Sequence, residues 1–257
     1  MTFFRLLFLT LFTAFVALAA SDDQVFEKAS PPLFSLFDTD LLQAYQDEVT
    51  LLKKHNPDKA SLSAALQSHN LISLQELYKK RASPTALGLD FADVNTILNS
   101  MKGHPIIGLE AMKTYDPTGQ IGFCFGRATY VHLELLQHKV DSTRIIKIFA
   151  VGGLDVDGNA WDFHVATATQ DNQGTWWVID SLFNQLTPIA DWMYEVGRWD
   201  ANKRYPMMRF YFTNAAKFQV LPGSYDSENF HSPLYQTYFD DLKHWFSEKP
   251  HLFICQK

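Results

Sequence analysis

The sequence predicts an α+β fold in which a helix opening at Cys124 packs on a small antiparallel sheet, preceded by a helical N-terminal segment. Three observations carry this. Apolar residues recur at helical spacing between residues 41 and 52 and again from Cys124. Three β-branched or aromatic runs lie close together between residues 144 and 180, separated only by turn signals. Finally, 257 residues, 47% of them hydrophobic and 19% charged, are enough to bury a core in one large domain or two small ones.

Residues 1–5 carry one positive charge, residues 6–16 are apolar, and Ala17-Leu18-Ala19 fits a small-x-small cleavage site, so residues 1–20 read as a secretory signal peptide. The expected location is secreted or periplasmic. The apolar run is too short to span a bilayer, and no membrane span is expected in the mature chain. Next, Leu41, Leu42, Tyr45, Val49 and Leu52 fall on one helical face that stops at Asn56-Pro57. Two shorter helical stretches are predicted over 62–66 and 74–78. The basic run 79–81 and Ala82-Ser83-Pro84 then read as a linker. This divides the chain into a helical segment, residues 21–82, and a second domain, residues 83–257.

Asp90 is the predicted N-cap of a helix carrying Val94, Ile97, Leu98 and Met101, stopped by Gly103 and Pro105. The chain to residue 120 is expected to be mostly loop. Ala128, Val131 and Leu135 share a helical face with Cys124, which therefore opens its helix and points at whatever that helix packs on. The run 144–151 is a strand that Gly152-Gly153 is expected to end before the acidic turn DVDGN. Residues 161–169 and 175–180 complete an antiparallel meander. Thr187-Pro188 is expected to start a helix through Ile189, Trp192, Met193 and Val196. A strand over 209–212 and a last helix over about 233–246 follow.

Composition excludes several functions. A net charge of -6 and a pI near 5.8 argue against nucleic-acid partners. Two cysteines make neither a disulfide framework nor a CxxC pair, and the nine histidines contain no HExxH run, so no metal site is expected. In DVDGN the glycine comes too early for an EF-hand, and the residues suit a hairpin turn. His132, Glu134 and His138 lack metal-ligand spacing and are expected on a solvated helix face.

A cysteine at a helix N-terminus has its thiolate stabilised by the helix dipole and by free backbone N–H groups. Gly122 and Gly126 on either side would let a substrate chain approach Cys124. His164 lies in a predicted strand 40 positions later, and Asp180 ends the next strand after 16 more. Together they are the candidate catalytic set: thiol, base and orienting carboxylate. The set has a register condition. A three-residue loop at 172–174, with Gly174 left-handed, sets Asp171 opposite Thr175 and His164 opposite Leu182, so that Asp180 lies diagonally beside His164 on one face. A two-residue loop would put them on opposite faces. Alternation along the strand places Trp161 and Phe163 opposite His164, as core residues rather than channel walls, while Phe123 and Phe125 flank the thiol.

Read singly, each residue has an ordinary role: Cys124 as a small core residue, His164 as a satisfied core histidine, Asp180 as a strand-end cap. A pairing of Cys124 with Cys255 would leave a non-catalytic exported binding protein.

The segments FADVNTILNSMK (Phe91–Lys102), GFCFGRATYV (122–131), KIFAVGGL (147–154), AWDFHVATA (160–168) and VIDSLFNQLTPIADW (178–192) resemble the bacterial protein-glutaminases, secreted protein-glutamine deamidases with a papain- and transglutaminase-like core. The resemblance spans roughly residues 90–192. It maps the nucleophile to Cys124, the base to His164 and the orienting carboxylate to Asp180. It implies deamidation of glutamine in a protein or peptide substrate, without cofactor; separately, the chain is expected to act as a monomer. Two features depart from the family. Ser181 follows Asp180 where the family has proline, and the disulfides of its secreted members are absent. Family members carry an inhibitory pro-region where residues 21–81 stand here, and a packed accessory subdomain is the alternative reading of that segment. The same triad would serve a transglutaminase, with an amine as acceptor, or a cysteine protease, with a backbone amide as substrate.

Overall fold

The computed structural model describes residues 39–248 apart from 81, 83–84, 120 and 226; the predicted signal peptide and Cys255 lie outside the described residues. Five strands form one antiparallel sheet in the order β4-β3-β2-β1-β5: β1 (Ile145–Val156), β2 (Asn159–Gln170), β3 (Trp176–Ile179), β4 (Thr187–Pro188) and β5 (Arg209–Asn214). The predicted meander is its centre. Two loops set the register. Val156 pairs with Asn159 across Asp157 and Gly158, whose φ angles of 52° and 83° are those of a two-residue hairpin turn, as DVDGN foretold. Asp171 N donates to Thr175 O at 2.9 Å and Gly174 has φ 89°, so the second loop has three residues and sets Thr167 opposite Ile179.

Gly152-Gly153 was expected to end β1, yet the strand runs on to Val156. The register shifts between Val151 and Leu154, a bulge that absorbs one extra residue. Gly152 sits there at φ 138° with Met208 Cα 3.4 Å from where its Cβ would be, so glycine marks a close approach rather than a strand end.

The sheet is covered on both faces, which is why β1 reads as a continuous apolar run. Phe149, Val151, Val165, Ile179 and Tyr211 share one core with α3 (Phe91–Lys102), α5 (Cys124–Gln137) and α7 (Gln236–Ser247). Ile148, Ala150, Ala166, Val178 and Phe210 share the other with α6 (Ile189–Gly197) and Leu77 of α2 (Lys59–Lys79). Asp90 caps α3 as predicted, accepting from Asp93 N at 3.0 Å. The helix expected at Thr187-Pro188 begins at Ile189 instead, because those two residues pair with β3 as β4. The last helix likewise begins at Gln236, and a short helix, α4 (Met112–Tyr115), interrupts the expected loop.

The N-terminal helices belong to this core. Leu41, at the start of α1 (Leu41–His55), is fully buried in the α5 cluster. The stretches expected over 62–66 and 74–78 are one helix, α2. Its apolar pattern breaks because His69, Asn70 and Ser73 are buried polar residues that meet Arg209 and its surroundings on β5. Arg209 also reaches the Glu48 carboxylate at 3.0 Å, His69 bonds the same carboxylate at 2.6 Å, and all three side chains are essentially sealed from solvent.

No helix among the described residues is long and apolar enough to cross a membrane.

Candidate active site

The turn into α5 is built for abruptness. Gly122 has φ 72° and Phe123 has φ 48°, two successive left-handed residues that swing the chain so that Cys124 is the first helical residue. Among the described residues no side chain caps this end, and the first N–H groups are left to whatever binds there. A left-handed phenylalanine is strained, and the surroundings hold it: its ring is fully buried against Phe125 and Tyr238. Asp116 accepts from Ile121 N and Gly122 N at 2.8 and 2.7 Å, and Arg127 Nη1 donates to Gly122 O at 2.8 Å. These bonds pin the turn on both sides. Neither Asp116 nor Arg127 was a sequence candidate, because a loop carboxylate and a helical arginine carry no motif.

Gly126 does not face a substrate. A Cβ there would lie 2.5 Å from the Tyr238 ring, so this glycine admits the tyrosine beneath the helix. Likewise His132 and Glu134 are buried rather than solvated. His132 Nδ1 meets Tyr225 Oη at 2.9 Å. Burial, with the charge of Lys147 adding to it, pushes the His132 pKa down to about 3, so the ring is neutral. His138 alone of the three is exposed.

The structure brings Cys124, His164 and Asp180 together. The register places Asp180 on the same face as His164, and His164 Nε2 lies 2.7 Å from Asp180 Oδ2. That oxygen also accepts from Trp192 Nε1 at 2.9 Å, while Oδ1 accepts from Leu182 N at 3.1 Å. An indole N–H only donates, so Asp180 accepts as a carboxylate and the imidazole donates through Nε2. His164 Nδ1, buried and with no nitrogen or oxygen partner among the described residues, is the nitrogen left to face the Cys124 thiol. The Cys124 thiol, free and buried, lies within reach of the imidazole and of the Val165 N–H.

Electrostatics follows from this packing. Burial alone would lower the His164 pKa, but the Asp180 charge and hydrogen bond, with Cys124 beside the ring, push it up to about 9. Burial alone would raise the thiol. Its interactions with His164, the Arg127 charge and the Val165 N–H outweigh that and hold it below 9.0. Burial likewise opposes Asp180, yet His164, Trp192 and the Leu182 N–H keep its carboxyl below the usual range. Each shift favours the charged form, so the arrangement can hold a thiolate beside an imidazolium.

Aromatic rings hold the imidazole in place. Trp161 and Trp192 stack near it at centroid distances of 6.0 and 5.8 Å, and Trp199 meets it edge-on at 5.4 Å. Alternation had assigned Trp161 to the far face with Phe163. Phe163 does pack toward α5, but Trp161, paired with Leu154 just beyond the bulge, packs with the cluster on the His164 side. The bulge twists this end of the hairpin enough to bring the indole alongside the histidine. Trp192 had been read only as an apolar position of its helix. A buried indole N–H must find an acceptor, and that rule was the one signal pointing to a carboxylate partner.

Among the described residues no group of three His, Cys, Asp or Glu side chains is placed to hold a metal ion. The chain matches no known family model, no curated protein and no solved structure.

Proposed function

We propose that this chain is an exported cysteine-dependent amidohydrolase that converts glutamine side chains of proteins or peptides to glutamate, releasing ammonia. The observation that carries the thiol chemistry is a buried histidine bonded through Nε2 to Asp180, with Nδ1 left to Cys124, which lies beside the ring at a helix start that no described side chain caps. The choice of glutamine and water as reactants rests on the motif resemblance around these residues.

In the proposed reaction Cys124 Sγ attacks the carboxamide carbon, and negative charge gathers on the carbonyl oxygen. The Cys124 N–H stands where it can hold that oxyanion, a bond typically worth about 10²–10³ in rate. His164 Nδ1 gives its proton to the departing nitrogen, the C–N bond breaks and ammonia leaves a thioester. Water then attacks the thioester carbon while Nδ1 takes its proton. The S–C bond breaks, glutamate departs, and the thiolate–imidazolium pair is restored. Asp180 holds the ring orientation throughout, and the tryptophans around it keep bulk water from the pair.

The test is ammonia release from a denatured glutamine-rich protein and from a short blocked glutamine peptide, comparing the natural chain with Cys124→Ala. Cys124-dependent ammonia with glutamate in the product is the expected result. Cleavage of the peptide backbone, or incorporation of an added amine without hydrolysis, would replace the reading with a protease or a transglutaminase. No reaction on any amide would overturn it.

A further inference from the structure

Away from the thiol, a cleft of about 530 Å³ opens between the α1–α2 turn and the segment 202–207. Val49, Leu62 and Met207 supply an apolar floor. Its rim carries Lys53, Lys59, Lys203 and Arg204, all exposed. Among the described residues of the lining Asp58 is the one carboxylate; it caps α2, accepting from Ala60 N, Ser61 N and Ser61 Oγ, and stands as a single anion against the four cations. The cleft is therefore cationic on a chain whose net charge is -6. Such a local inversion of sign concentrates anionic ligands at one place and repels them elsewhere.

The walls are preformed. Pro206 O accepts from Ser63 Oγ at 2.8 Å and from Gln67 Nε2 at 3.3 Å, and Tyr45 Oη donates to Met207 O at 3.1 Å. Asp200 Oδ2 accepts from Met207 N and Met208 N, both at 2.6 Å. The backbone walls are thus held before a ligand arrives, and what binding has to order is the exposed side chains of the rim. A bare phosphate would leave the apolar floor unfilled, and an anionic membrane would face the repulsion of the rest of the chain. An acidic segment that also carries an apolar side chain satisfies both floor and rim.

The cleft and the candidate active site share one stretch of chain. Trp199 sets its ring against His164, its carbonyl accepts from Asp155 N at 2.7 Å, and Ala201 N donates to Gly153 O at 2.9 Å. Arg204 comes five residues after Trp199, a stretch that covers at most about 18 Å even fully extended. A peptide of five extended residues has the same maximum reach.

We propose that this cleft binds an acidic peptide segment bearing an apolar side chain, about four to six residues from the reactive glutamine of the substrate. It deepens the deamidase reading, on which only its connection to glutamine rests; binding itself is tested separately. The probe is a short fluorescein-labelled peptide alternating Glu and Leu, without glutamine, titrated by anisotropy against the full mature chain. Binding that weakens with salt, that falls about tenfold in Lys203→Glu/Arg204→Glu, and that disappears when the peptide's Glu residues become Lys is expected. Equal binding to the double variant, or capture of phosphatidylglycerol vesicles with no binding of the peptide, would overturn the proposal. In the second arm, an acidic extension on a glutamine peptide should lower KM with the natural chain and not with the double variant. Turnover of the short blocked glutamine peptide should be the same in both. Charge-dependent peptide binding without Cys124-dependent ammonia would leave the cleft standing and remove the deamidase. Ammonia release without peptide binding would do the reverse.

Discussion

Two buried histidines each sit on a carboxylate, and their surroundings differ. His69 Nδ1 lies 2.6 Å from Glu48, and His164 Nε2 lies 2.7 Å from Asp180. Glu48 is also held by the Arg209 guanidinium and by Tyr211 Oη, while Arg209 reaches Asn70 and Ser73. Burial works against the Glu48 charge, but Arg209 and His69 keep its carboxyl below the ordinary range. A permanent cation, a fixed anion and hydroxyl and amide partners make a clamp that joins α1 and α2 to β5. At Asp180 no arginine of the described residues bonds the carboxylate. The imidazole is the partner that must carry the positive charge, one of its nitrogens is left over, and a thiol at a helix start lies beside it. Similar distances thus serve two ends: a network closed on a permanent cation fastens elements together, and one whose positive charge rests on an imidazole beside a thiol keeps a proton ready to move.

The largest effect that separates the two sites is expected from Cys124→Ala. Ammonia release should fall by at least about 10⁴-fold, with urea unfolding little changed, because a small buried side chain is replaced by another. Glu48→Ala should do the opposite. It strands Arg209 in the core, and unfolding free energy should drop by about 3–5 kcal/mol, while activity per folded molecule at low temperature is retained. Replacing both partners, as Glu48→Leu with Arg209→Met, should cost less than the single change, since no unpaired charge remains.

Asp180→Asn sharpens the contrast further. A fall of about 10²–10⁴ in rate is expected, and with the carboxylate gone the His164 pKa drops, so the alkaline limb of the pH–rate profile, set near 9 in the natural chain, should move to lower pH. A profile that keeps its alkaline limb would show that His164 does not set it. Trp192→Phe removes one donor from Asp180 and should lower the rate by roughly tenfold, with the limb shifted the opposite way, to higher pH, because a carboxylate with one donor fewer holds the imidazolium proton more tightly.

The smallest effect is on stability against pH. His164 is raised from 6.5 to about 9 on folding, so its contribution is fully present below pH 6.5 and is lost as pH rises through about 9. Asp180 is depressed, so its contribution is present above the ordinary carboxylate range and is lost on acidification through its lowered value. Urea midpoints followed across the alkaline range should decline in the natural chain and decline less in His164→Ala.

Much of this was legible in the sequence where partners lie near each other along the chain. Asp90, the apolar face of α3, the start of α5 at Cys124 and the two hairpin turns follow from local rules of capping, periodicity and turn chemistry. The diagonal of His164 and Asp180 follows as well, since one glycine in a three-residue loop sets the register. Local rules failed where a residue answered to a distant partner. Gly152 looked like a strand end and is a bulge against Met208; Gly126 looked like open space and is a seat for Tyr238. The polar stretch in α2 looked like a break and is the surface that meets Arg209.

The sequence by itself determined the α+β class, the order of the central strands and the face on which His164 and Asp180 meet, because helical period, strand alternation and turn geometry act over a few residues. Tertiary structure alone decided what surrounds them. The indole of Trp192 on Asp180, the ring of Trp161 beside His164, the burial of His132 and Glu134 and the clamp of Glu48 on Arg209, 161 positions away, are long-range contacts. They are settled by which surfaces close on one another once apolar faces are buried and each buried polar group has to find a partner.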